Sequence, residues 1–153
     1  MAPLGEHFPA ELLRPRIEAA LKPGCVIRLL VKFPHVTKQK FLVLVADDDP
    51  VYLTFVVNSE INPFISNRPH LLQCQVLIDV ANHKFLDHDS HIACNEVLPM
   101  KREEVIKSLI ELPATIFKQR GRHHHAFGVR LQALGEFEQG RGHAQHRLAN
   151  VFR

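Results

Sequence analysis

Six consecutive residues, Phe41 to Ala46 (Phe-Leu-Val-Leu-Val-Ala), are apolar without exception. A strand with one wet face alternates apolar and polar side chains. An unbroken run is expected of a strand covered on both faces. The segments around it do alternate. In Val26 to Phe33, the residues Ile27, Leu29, Val31 and Phe33 form one apolar face, while Val26, Arg28, Leu30 and Lys32 form a mixed one. Pro34 to Gln39 reads as a polar loop between these two strands. Asp47-Asp48-Asp49-Pro50 is a turn signal, and its three acids suit a solvated turn better than a metal site.

A third strand is expected over Val51 to Val57, which is rich in β-branched and aromatic residues. In a fourth, Leu72, Cys74, Val76 and Ile78 alternate with Gln73, Gln75, Leu77 and Asp79. His91 to Leu98 can supply one or two more short strands. The period then changes. Val105, Ile106, Leu109, Ile110 and Leu112 make a helical stripe over Lys101 to Leu112, with Glu103 four residues before Lys107 as an exposed pair. Before the strands, Leu12, Leu13, Ile17 and Leu21 give helical spacing over Ala10 to Leu21. Pro15 is expected to kink or restart that helix, and Lys22-Pro23-Gly24 to stop it.

No ten-residue helix separates the strands, which disfavours a doubly wound α/β sheet. The expected class is mainly β with α (α+β): a small barrel of five to six antiparallel strands with helices packed on it, closed by sequential meander pairing. Residues 1–22 make an arm and helix, and residues 23–120 the barrel with its C-terminal helix. Residues 121–153 are a basic Gly/His-rich tail, expected to be partly ordered or mobile.

Charge and cysteine content bound the setting. The net charge is +3, and residues 121–153 hold the whole surplus, 5 Arg against 2 Glu. That is a mild bias toward anionic partners. Cys25, Cys74 and Cys94 have no C-x-x-C spacing and sit in or beside apolar runs, as reduced thiols of a cytoplasmic protein would. The first 20 residues lack the sustained apolar run of a secretory leader, and no segment approaches a membrane span.

Chemistry-bearing residues concentrate in Phe85 to Met100, where Asp87, His88, Asp89, Ser90, His91 and Cys94 fall close together. Imidazoles can take and give protons near neutral pH. His35 lies in the loop leading to Lys38 and Lys40, so loop and segment together could receive a phosphate. Against this stands a plainer reading, in which Asp87 to Ser90 is a turn whose side chains bond backbone groups. His83, His88 and His91 have a spacing that matches no standard zinc site, and no metal or other cofactor is expected.

Several of these residues also resemble a known family. Pro23-Gly24-Cys25-Val26-Ile27, Phe33-Pro34, Lys40 to Val45 and Ser90 to Asn95 resemble motifs of the PemK/MazF family of toxin–antitoxin ribonucleases. So do Asn58 to Asn62 and Phe85 to Ser90, which are similar to a divergent subgroup. The resemblance covers about residues 23–112 and implies an SH3-like barrel, a homodimer, RNA as substrate and a small antitoxin protein as partner. Carried over position by position, it puts Lys40 for the family's first arginine and Ser59, with Asn58, for its hydroxyl. Ala93 and Asn95 stand where the family has an arginine and an aspartate. The catalytic candidates are Lys40, Ser59, His88 and His91; the substrate-binding candidates are His35, Lys38, Asn58, Ser90 and Asn95. The function implied is a toxin-like, metal-independent endoribonuclease for single-stranded RNA. The alternative is a non-catalytic barrel that serves as a protein-interaction module.

Overall fold

The computed structural model describes residues 9–111 and 116–117. The expectations for residues 121–153 lie outside the described residues. The fold is mixed α+β, with antiparallel ladders throughout. Helix α1 (Ala10–Ala20) leads into β1 (Val26–Lys32), β2 (Thr37–Asp48) and β3 (Val51–Asn58), which pair in sequence. Two single-turn helices follow, α2 (Pro63–Ser66) and α3 (Pro69–Leu72). Then come β4 (Gln75–Ile78), the long β5 (Ser90–Lys101), α4 (Arg102–Glu111) and the two-residue β6 (Ile116–Phe117).

The sheet order is β4-β5-β3-β2-β1-β6. This corrects the expected meander: β5 pairs with β3, and β4 lies outside it. Among the described residues no ladder joins the ends of the sheet, so it is open rather than closed into a barrel. No helix among them is long and apolar enough to cross a membrane.

The unbroken apolar run behaves as its composition requires. Leu42 and Leu44 belong to one core, together with Ile17 and Leu21 near α1, Ile27, Leu29 and Val31 of β1, Tyr52, and Val105, Ile106 and Leu109 of α4. Val43 and Val45 belong to the other core, with Val26, Leu53, Phe55, Val57, Ile92 and Leu86. The sheet is buried on both faces through its middle strands. Arg28, Leu30 and Lys32, the mixed face of β1, stay exposed.

Gly24 takes φ 90, a region that favours glycine, and its amide bonds Leu44 O at 2.8 Å, which starts β1 against β2. Helix α1 runs unbroken through Pro15. Its packing face is held against α4, and Arg14 bridges Glu18 at 3.1 Å and Glu103 at 2.6 Å. Glu103 is thus engaged across helices, not with Lys107 as its spacing suggested. Arg102 holds both carboxylate oxygens of Asp47 at 3.0 Å, so part of the acidic turn serves to dock α4. The polar loop shrinks to a tight turn, with Phe33 N bonded to Val36 O, because β2 begins at Thr37.

The fourth strand is shorter than its alternation. Leu72 closes a helical turn instead, Gln75 is buried, and Leu77 is 60% exposed.

Candidate functional site

Antiparallel partners that face each other across a sheet present their side chains on the same side. The registers Leu29↔Lys40, Asn58↔His91 and Leu77↔His91 therefore string one row across the strands. The missing link is supplied by side chains: Lys40 Nζ donates to Asn58 Oδ1 at 2.8 Å. The row lies on the face that α1 and α4 cover, since Leu29 is part of that core. Lys38, two positions earlier on β2, shares the face and is exposed.

At the centre stands His91. Its Nδ1 is buried and is the only such side-chain nitrogen or oxygen without a hydrogen-bond partner among the described residues. A buried polar atom left unpaired costs free energy, on the order of 1–3 kcal/mol. Such atoms are places where a water, an ion or a ligand completes the bonding. Lys40, half-buried on the far side of Asn58, has its pKa pulled below the ordinary lysine value. Burial disfavours the ammonium first, and Lys38 adds repulsion. The row thus combines an imidazole, an amide and one lysine, with Lys38 two residues away on the same face.

Of the sequence-derived candidates, Lys38, Lys40, Asn58 and His91 come together. Ser59 follows Asn58 directly and is exposed. The rest are placed elsewhere. Ser90 pairs with Ile78 and precedes His91, so it faces the opposite core; it is 3% exposed, and its hydroxyl donates to His88 O at 3.2 Å. His88 itself is exposed in the loop before β5. In that loop Asp89 accepts from Val80 N and Asp79 from Asn82 N, both at 2.8 Å. His35 sits in the β1–β2 turn, outside the row. Asn95 Oδ1 accepts from Gln75 Nε2 at 2.8 Å. Among the described residues no group of three or more His, Cys, Asp or Glu is placed to hold a metal ion.

Sequence reading missed Gln75 and Arg28. Gln75 looked like an outward residue of an alternating strand, yet it is buried opposite Ala93 and donates to Asn95 Oδ1. Arg28 lies over the Phe41 ring at 5.5 Å. Register across strands, rather than any local signal, reveals both.

No family model, no curated protein and no solved structure matches this chain.

Proposed function

We propose that this chain is a toxin-like protein of a toxin–antitoxin type of system, with an SH3-like barrel plan, that cleaves single-stranded RNA without a metal. The PemK/MazF resemblance supplies the class, and an antiparallel sheet with a core on each face is compatible with it. The observation that carries the chemistry is the cross-strand row in which Lys40 Nζ donates to Asn58 Oδ1 and Asn58 stands opposite His91.

In this mechanism His91 accepts the proton of a ribose 2′-hydroxyl, whose oxygen attacks the adjacent phosphorus. Lys40 neutralises charge building on the phosphoryl oxygens. Its lowered pKa also makes it the better proton donor to the departing 5′-oxygen. The products are a 2′,3′-cyclic phosphate and a 5′-hydroxyl. Lys38 meets a neighbouring phosphate, with Ser59 at the rim. From Pro23 to Ala46 the chain has Arg28, Lys32, Lys38 and Lys40 and no acid, which favours a polyanion over the whole hairpin.

Incubation of the purified chain with unstructured and structured RNA in EDTA tests this. Cleavage with cyclic phosphate ends is expected, reduced roughly 100-fold or more in His91→Ala and in Lys40→Ala. Absence of cleavage from about pH 5 to about pH 9 would remove the enzyme.

A second reading, a non-catalytic module that binds a protein, is favoured by Leu77, which is 60% exposed on the outer strand β4. An antitoxin or a second copy of the chain would fit that edge.

A further inference from the structure

The three thiols are not equivalent in space. All are reduced and buried, but Cys25 belongs to the core under α1 and α4, whereas Cys74 and Cys94 belong to the core on the other face. The sheet therefore separates Cys25 from the other two. The β4–β5 register begins at Gln75↔Ala93, and one step further Cys94 N bonds Cys74 O at 3.0 Å. Cys74 and Cys94 thus stand opposite each other across an antiparallel pair and lie in one apolar cluster. Directly opposed residues have α-carbons about 4.5–5.5 Å apart, within the span a disulfide bridges. Cys74 Sγ now lies 3.2 Å from His70 O, so bonding to Cys94 requires a side-chain rotation that gives up this contact, with a small approach of the two strands.

We propose that Cys74 and Cys94 form a reversible, oxidant-driven disulfide, a modification site independent of any RNA chemistry. Access comes from α3, the single turn just before Cys74. None of its residues is buried, so its local opening exposes the sulfur with little disturbance of either core. With hydrogen peroxide as the oxidant, the Cys74 thiolate attacks one peroxide oxygen, and one water leaves. The Cys94 thiol then displaces the hydroxyl from the Cys74 sulfenic acid as a second water, forming the S–S bond. The two thiols lose two electrons and two protons, and the peroxide is reduced to two waters. Cys25 stays out of the reaction. Burial pushes its pKa up to about 11, and no partner thiol shares its face of the sheet. The bridge ties β4 to β5 three steps from the Leu77↔His91 pair.

The test treats the full chain with hydrogen peroxide, alkylates it under denaturing conditions and maps the tryptic peptides. One alkylated cysteine, Cys25, is expected in place of three. The peptide spanning 41–84 should be joined to that spanning 85–101, and dithiothreitol should separate them. The oxidised chain should melt at a higher temperature than the reduced one, a shift absent in Cys74→Ser and in Cys94→Ser and retained in Cys25→Ser. Mapping on the native sequence stands alone should a serine variant fail to fold. Three alkylated cysteines after treatment, a link that includes Cys25, or links only between separate chains would each overturn the proposal.

Discussion

Lys40 shows how much one side chain's surroundings add to its identity. Its residue type promised a cation near a phosphate. What distinguishes it is partial burial, the bond to Asn58 and the nearby charge of Lys38. Its folded pKa lies below the ordinary value, so the unfolded chain binds more protons there. Stability then rises with pH through the interval between the folded and the ordinary lysine value. Titration of the Lys40 side chain by NMR should show the lowered value. Lys38→Ala should move it upward, though not fully back, because burial is the larger cause. An unchanged value in Lys38→Ala would contradict that ordering.

At the scale of the element, α1 is the case where local rules and packing pull apart. Pro15 removes the donor that would bond the carbonyl of Glu11 and crowds that turn. Even so, the helix runs from Ala10 to Ala20. Ile17 and the residues of α4 hold it from the core side, and the Arg14–Glu103 pair holds it from the solvent side. Pro15 is exposed, so exchanging it for alanine opens no cavity. Pro15→Ala is therefore expected to stabilise the protein by about 1–3 kcal/mol, read from denaturant unfolding. A destabilised variant would mean that the proline is needed to set the helix's course. The same contest explains β4. Alternation suggested an eight-residue strand, but Pro69 opens a helical turn through Leu72 and leaves four residues to pair with β5.

For the molecule as a whole, the decisive feature is that β2 and β3 feed two cores at once. Leu42 and Leu44 point one way, Val43 and Val45 the other. Loosening either core should then be felt in both. Leu109→Ala, in the helix-covered core, is expected to cost about 2–5 kcal/mol. Tyr52 is the only tyrosine and there is no tryptophan, so its fluorescence reports that core while far-ultraviolet circular dichroism reports the sheet. The two signals should fall together in one transition, shifted downward in the variant. Separate transitions would show that the faces unfold independently.

The sequence by itself determined the local elements. Runs, alternation and helical stripes depend on near neighbours, so β1, the apolar part of β2, β3 and α4 were legible within a few residues. The buried middle of the sheet followed from composition alone, because six apolar residues in succession cannot leave a face to water. What only the tertiary structure decided is adjacency: β5 beside β3, β4 at the edge, Arg14 on Glu103, Cys94 opposite Cys74, and His91 in a row with Asn58 and Lys40. Ser90, His35 and His88 were equally good candidates on paper. Ser90 faces the other core because the register of an antiparallel ladder puts neighbouring residues on opposite faces, and that register is set by pairing between distant segments; His35 and His88 lie in the turn and loop outside the ladders.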